Sequence, residues 1–310
     1  MPHPVQMLAV IISNASAGQG RPAEGAGEME AACRRRGLDA RVVLVRDGED
    51  ITRAASDAIE QGASLVVAAG GDGTVSAVAS QVAGTGVTMG VIPMGTLNHF
   101  AKDLGIPLEA EGAIDVLVHG KVLDVDAGEV NGRLFINNSG LGLYPDIVRE
   151  REAQQRRLGR GKWAALLHAC LRAAQRYPVL SLHFEVDGKK LERRSAFVFI
   201  GNNEYTMTGF EIGERAGLAD GKLSLYVTHR MGRFGLVWLA LRALFGRLEQ
   251  ARDFDMLTAT SVMVDTHKRS IRVATDGEVT LMQTPLHYRI RPAALRVMVP
   301  ASLPGESPAV

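Results

Sequence analysis

Four short apolar runs, alternating with helical patterns over the first third of the chain, limit its fold more than any other feature. They are Met7-Leu8-Ala9-Val10-Ile11-Ile12, Arg41-Val42-Val43-Leu44-Val45, Ser64-Leu65-Val66-Val67-Ala68 and Met89-Gly90-Val91-Ile92. Each is apolar nearly throughout rather than at alternate positions, the mark of a strand buried on both faces. Between them, residues 23–36, 51–61 and 75–82 carry apolar side chains at helical spacing. Strand–helix alternation of this kind predicts a parallel sheet with helices on both faces. Ligands of such sheets gather at the carboxyl ends of the strands. The loops 14–20, 70–74 and 93–98 are therefore expected side by side.

Beyond residue 121 the pattern changes. Residues 122–130, 133–138, 180–186, 195–200, 222–228, 261–264, 270–275 and 286–290 read as strands with little helix between most of them. They predict a second, largely antiparallel β-sandwich domain. Two helical stretches, 147–177 and 232–252, interrupt it; 294–299 is one more strand, and 302–310 a mobile tail. The expected division is residues 1–125, with 293–301 returning to them, and residues 126–292. Two domains suit 310 residues at about 150 per domain.

A formal net charge of +1 gives no global field toward nucleic acid or membrane, so any attraction must be local. The two cysteines, Cys33 and Cys170, form no CxxC pair. They fit buried thiols in a reducing cytosol rather than a disulfide framework or a zinc site. No two histidines have transition-metal spacing. The amino terminus lacks a basic region ahead of its apolar run, unlike a signal peptide. The most apolar later stretch, 234–248, contains Arg242 and Arg247 and falls short of the roughly 20 apolar residues of a membrane span. A cytoplasmic, soluble protein is expected.

Gly70-Gly71-Asp72-Gly73-Thr74 follows one predicted strand and opens a helix. Glycines let backbone approach phosphate without a Cβ in the way, and the helix terminus offers free amides. Asp72 among phosphates suits a direct or water-mediated Mg²⁺ contact. In the next loop Gly95 permits close approach, while Thr96 and Asn98 carry groups able to bond phosphate or ribose. Asn14-Ala15-Ser16-Ala17-Gly18 is a third loop of small and polar residues. A capped turn would explain any one of them; three at one sheet edge make a nucleotide pocket. The chain has neither GxxxxGK[ST] nor the GxGxxG fingerprint. Late in the sequence, Asp276-Gly277-Glu278 carries a strong hairpin signal. Its two acids share a face on a strand and diverge in a turn.

Taken together, Gly70–Thr74, the stretch GTLNHFAKDLGIP from Gly95 to Pro107, and Thr275-Asp276-Gly277-Glu278 resemble the diacylglycerol kinase catalytic-domain family. That family includes bacterial lipid kinases, sphingosine kinases and ceramide kinases, and the resemblance runs from Leu8 to Pro300. It implies a Rossmann-like α/β domain, of the kind NAD kinases share, followed by an antiparallel β-sandwich. It further implies an ATP-dependent kinase of a lipid hydroxyl, with diacylglycerol as leading acceptor and phosphatidic acid as product. A kinase of a soluble acceptor such as NAD and a catalytically silent nucleotide-binding module are the alternatives.

By this resemblance Gly71 to Ser76, Thr96 and the loop of Asn14, Ser16 and Gly18 hold ATP. Glu278 is the proton acceptor, and Asp276 supports it or orients metal. Residues 217–222 resemble the family's structural Mg²⁺ loop, with a carboxylate from Asp220 and backbone carbonyls from Gly217 and Lys222. The implied partners are ATP and a lipid, with no nucleic acid; a homodimer stays open. The arginine-rich stretches 149–176 and 230–252 are expected either to dock on the β-domain or to touch the inner membrane face peripherally. The chain departs from its relatives at His99, where many carry Asp, and near Val45–Arg46, where bacterial relatives often carry a nucleotide-contacting Thr.

Overall fold

The computed structural model describes residues 8–14, 22–142, 145, 180–208, 211–215, 217–228 and 254–302. The expected helical stretches 147–177 and 232–252, and Ser16 and Gly18 of the first loop, lie outside these residues. The chain divides into two compact units, one running to Val125 and resuming at Ala293, the other Asp126–Pro292.

In the first unit β1 (Ala9–Asn14), β2 (Ala40–Val45), β3 (Leu65–Gly70) and β4 (Thr88–Pro93) form a parallel sheet in the order β2-β1-β3-β4. Among the described residues five helices accompany it: α1 (Pro22–Arg35), α2 (Gly48–Glu60), α3 (Asp72–Val82), α4 (His99–Asp103) and α5 (Ala110–His119). Every residue of β3 is buried, as its unbroken apolar run requires of a strand covered on both faces. Asp47 caps α2 by accepting a hydrogen bond from the Asp50 amide at 2.9 Å. Glu49 and Asp50 in its first turn complement the helix dipole. Ser13 lies beside Ala69, and Gly70 beside Pro93. The carboxyl ends of β1, β3 and β4 thus emerge together, at the edge where their loops begin.

The second unit is built from β5 (Lys121–Val130, from Asp126 onward), β6 (Arg133–Phe135), β7 (Asn138–Gly142), β8 (Leu180–Val186), β9 (Lys189–Ser195) and β10 (Phe197–Asn202). It continues through β11 (Tyr205–Thr208), β12 (Glu211–Arg215), β13 (Leu223–Thr228), β14 (Phe254–Ala259), β15 (Ser261–Thr266), β16 (Ser270–Thr275) and β17 (Glu278–Gln283). One antiparallel sheet runs β14-β13-β10-β7-β16-β17. In the other, the first half of β18 (Leu286–Val299) pairs with β15, followed by β8 and β9. Alternate residues of β8 (Leu180, Leu182, Phe184 and Val186) join Val198, Ile200, Leu225 and Val227 of the other sheet in one core. Each such side chain contributes roughly 1.5–3 kcal/mol on burial, and the two inner faces make a sandwich.

The second half of β18 pairs in parallel with β4 of the first unit, through Arg296 beside Thr88 and Val297 beside Met89. The runs 286–290 and 294–299, expected as separate strands, are therefore one.

Candidate active site

In the first unit the loop after β3 turns directly into α3. Gly71 is the helix N-cap and makes no side-chain cap bond. The first helical bond is donated by the Val75 amide to the Gly71 carbonyl at 3.1 Å. The preceding amides, of Asp72, Gly73 and Thr74, are those that α-helix geometry leaves without intrahelical acceptors. Gly71 and Gly73 flank Asp72, and the Thr74 hydroxyl turns under Gly70, where a Cβ would lie 2.4 Å from its Oγ1. Thr74 is 4% exposed, so what it offers a ligand is its amide.

The second loop closes on the first. A Cβ on Gly95 would stand 2.6 Å from the Gly71 Cα and 2.8 Å from Asn98 Oδ1; the two backbones approach this closely only because both residues are glycine. Asn98 occupies a left-handed conformation (φ +50°). Its Oδ1 accepts from the Gly95 amide, and its Nδ2 donates to the Gly95 carbonyl, each at 2.9 Å. Asn98 is buried, and its carboxamide shapes the loop, whereas the sequence had offered it as a ligand group. Thr96 is exposed. Asp72 Oδ1 accepts from the His99 amide at 2.8 Å, tying the start of α3 to the start of α4. The residue that departs from the family pattern thus meets Asp72 through its backbone, with its imidazole side exposed. Asn14 ends β1 at the same sheet edge.

In the second unit Asp276 and Gly277, with φ of +47° and +88°, form the two-residue turn between β16 and β17, Thr275 pairing directly with Glu278. Positive φ at both positions is the preferred hairpin geometry. The two acids point to different tasks. Asp276 Oδ2 accepts from the Ile136 amide at 2.8 Å; its Oδ1 accepts from Asn137 at 2.8 Å and Asn138 at 3.1 Å. Glu278 is 62% exposed in its side chain and pairs with the guanidinium of Arg133. Asp276 is thus bonded to backbone, while Glu278 presents its carboxylate outward. The carboxylate of Asp276 also explains why 133–138 is not one strand: its amides at 136 and 137 turn to that carboxylate instead of a neighbouring strand.

The carbonyls of the same segment are held from the other side. Buried Arg215 donates to the Ile136 carbonyl at 2.6 Å and to Asn137 Oδ1 at 3.2 Å. Asn202 Nδ2 donates to Ile136 at 2.9 Å, and the Tyr205 hydroxyl to the Asn137 carbonyl at 3.0 Å. None of these residues was singled out by sequence; each comes from a different strand, and no local motif joins them.

Gly217, Asp220 and Lys222 share one loop ahead of β13. A Cβ on Gly217 would lie 2.5 Å from Asp220 Oδ1 and 2.8 Å from its Oδ2, so the carboxylate folds back over the loop backbone. Asp126, 2% exposed, anchors the loop: its amide donates to the Leu218 carbonyl at 2.8 Å and its Oδ2 accepts from Gly221 at 2.7 Å. The Lys222 carbonyl accepts from Asn203 at 2.9 Å. The Asp220 carboxylate and the carbonyls of Gly217 and Lys222 are all oxygen donors, the type that suits a hard cation such as Mg²⁺.

Two family models cover the chain: the diacylglycerol kinase catalytic domain over residues 8–130, and the YegS C-terminal NAD kinase beta sandwich-like domain over residues 145–299. The chain belongs to the diacylglycerol kinase catalytic-domain family. It is 30% identical to a diacylglycerol kinase of Bacillus subtilis over 236 residues, covering 74% of this chain and 76% of the relative. To a probable lipid kinase YegS-like of Cronobacter sakazakii it is 28% identical, covering 82% and 84%. Two further matches span 61% and 58% of the relative's length. A crystal structure of a putative diacylglycerol kinase from Bacillus anthracis has the same fold, with a TM-score of 0.73 at 23% identity, covering 94% of this chain and 97% of that one. Membership supports a kinase with ATP as co-substrate and, at family level, a lipid acceptor. Among the described residues no helix is long and apolar enough to cross a membrane.

Proposed function

We propose that the protein transfers the γ-phosphoryl group of ATP to the hydroxyl of diacylglycerol, giving phosphatidic acid and ADP. The observation that carries this reading is the bare amino terminus of α3, pressed glycine to glycine against the Gly95 loop, in a chain of this family. Phosphoryl transfer needs a clamp for the triphosphate, neutralisation of its charge, and a base for the attacking hydroxyl. The amides of Asp72, Gly73 and Thr74 supply the clamp, with Gly70 and Gly71 clearing the approach and Gly95 and Thr96 beside them; by the family resemblance Asn14, Ser16 and Gly18 add to the ATP contacts. Asn98 keeps that second loop in shape.

Glu278 accepts the proton as the lipid oxygen bonds to phosphorus and the bond to ADP breaks. Base help of this kind typically contributes about 10²–10⁴-fold. Asp276 supports it by fixing the turn from which Glu278 projects. The loop of Gly217, Asp220 and Lys222 would hold Mg²⁺ as a structural ion, and Asp72 would face the Mg²⁺ that travels with ATP. Bound there, the metal supplies charge neutralisation of the phosphates. A lipid acceptor calls for peripheral contact at the inner face of the membrane, which we assign to the arginine-rich stretches 149–176 and 230–252.

The test is transfer of label from γ-labelled ATP in the presence of diacylglycerol–detergent micelles, a panel of other lipids, and NAD. Label in phosphatidic acid is the expected result. Label on a soluble acceptor without any need for micelles would replace the lipid reading. ATP left unconsumed with every acceptor would remove the kinase.

A further inference from the structure

The reading of Glu278 as base leaves its partner unexplained. Arg133 pairs with the Glu278 carboxylate while both side chains keep solvent access, 36% and 62% exposed. An exposed ion pair adds little to stability. The chain nevertheless fixes the location of Arg133 from both ends of its hairpin. At one end, Asn131 takes the turn between β5 and β6 with φ +46°. Its Nδ2 donates to the Gln283 carbonyl at 3.1 Å, its Oδ1 accepts from the His287 amide at 2.8 Å, and its own amide donates to the His287 carbonyl at 3.1 Å. At the other end, the amides of Ile136, Asn137 and Asn138 enclose Asp276. The segment from Asn131 to Asn138 is therefore tied to both ends of the β17 hairpin arm, and Arg133 lies between the ties.

We infer that Arg133 is a positioning residue for the proposed transfer: its guanidinium orients the Glu278 carboxylate toward the acceptor hydroxyl. The inference rests on the proposed role of Glu278. A carboxylate on an exposed glutamate has several rotamers, and a fork-shaped donor restricts them. Misplacement of a reacting group by about 1 Å can cost about 100-fold in rate, so a pair that is nearly neutral for folding can matter for turnover. Arg133 touches neither ATP nor lipid in this scheme; it acts through Glu278.

The experiment compares wild type, Arg133→Ala, Arg133→Lys, Glu278→Gln and the Arg133→Ala/Glu278→Gln double variant with diacylglycerol micelles and ATP, alongside thermal unfolding. Expected is a drop in kcat of about tenfold or more for Arg133→Ala with both KM values within about twofold. Arg133→Lys should recover most of that loss, Tm should be unchanged, and the double variant should be no slower than Glu278→Gln alone. A loss confined to KM, additive losses in the double variant, or a matching fall in Tm would overturn the positioning role. Full activity of Arg133→Ala beside an inactive Glu278→Gln would sink this inference alone. An active Glu278→Gln would sink the base role of Glu278 and this inference with it; an inactive wild type would sink the function proposed above as well.

Discussion

Asp276 and Glu278 stand two residues apart, yet substitution should separate them. Asp276→Asn replaces one of two acceptor oxygens with a donor that faces amides, leaving backbone N–H groups in conflict. A loss of about 1–3 kcal/mol is expected for an unsatisfied part-buried group, together with loss of turnover. Glu278→Gln removes only an exposed charge and should leave urea unfolding unchanged while slowing transfer about 10²–10⁴-fold. Equal stability of the two variants would refute the division of labour. Gly95→Ala belongs to the same scale. Its methyl would meet the Gly71 backbone at 2.6 Å and Asn98 Oδ1 at 2.8 Å, so the two strand-end loops must part. ATP affinity, measured by calorimetry, should fall about tenfold or more, because losing one hydrogen bond to a charged phosphate costs about 1.5–3 kcal/mol and each 1.4 kcal/mol is about tenfold in affinity. Binding at wild-type affinity would show that the contact between these loops does not shape the nucleotide site. Sequence marked the glycines and both acids because each sits in a local signature. It could not separate Asp276 from Glu278 by task, because the amides of Ile136, Asn137 and Asn138 that occupy one of them lie 138–140 residues away in the chain.

Among elements, the β8–β9 hairpin shows what patterning misses. The run Lys189-Lys190-Leu191-Glu192-Arg193-Arg194 has neither apolar alternation nor β-branched residues, so propensity gave no strand there. It is nevertheless an edge strand, where charge is an advantage because it discourages pairing with other chains. The hairpin is set by Asp187, at φ +46°. Slight desolvation at this exposed site would raise its pKa, but bonds from the Ser261 amide, the Thr260 hydroxyl and amide, and the Ser261 hydroxyl together hold it below the usual carboxylate range. A lowered folded pKa stabilises above the unfolded value of about 3.9 and is lost as pH falls through the folded one. Asp187→Ala, which also forces alanine into the left-handed region, should cost about 1–2 kcal/mol at pH 7. Asp187→Asn keeps an acceptor and tolerates the turn, so it should cost less and flatten the acid limb. Urea midpoints of the three proteins between pH 3 and 7 check this; a shared acid limb would contradict it. The same limit on propensity hid β7 and β14, whose partners β10, β16 and β13 lie elsewhere in the chain, β17, which pairs with β16 across its own two-residue turn, and α5.

For the whole molecule, the alternation of apolar runs and helices was enough to announce a parallel sheet, and successive strands with few helices an antiparallel sandwich. Both are global patterns, repeated often enough to survive errors in any one element. What stayed illegible was the chemistry of the second core. Tyr288 is 2% exposed within it, and burial pushes its pKa well above the usual tyrosine range, only partly opposed by a hydrogen bond with Ser139 at 3.1 Å. Burial raises Tyr226 in the same unit as well. A raised folded pKa means that both states are protonated below the unfolded value of about 10, where the full stabilisation is present. Above it the unfolded chain releases the proton while the folded chain keeps it, so stability falls by about 1.4 kcal/mol per pH unit for each such tyrosine. Tyr288→Phe removes one of these protons. Ser139 keeps its bond to the Ala274 carbonyl at 2.9 Å, so the variant should be about 0.5–1.5 kcal/mol less stable near neutrality. Above pH 10 the gap should narrow and then reverse, because the phenylalanine protein has no phenol to hold un-ionised. Urea unfolding of both proteins from pH 8 to 11 tests the sign directly, and parallel curves across that range would mean that Tyr288 ionises as readily folded as unfolded.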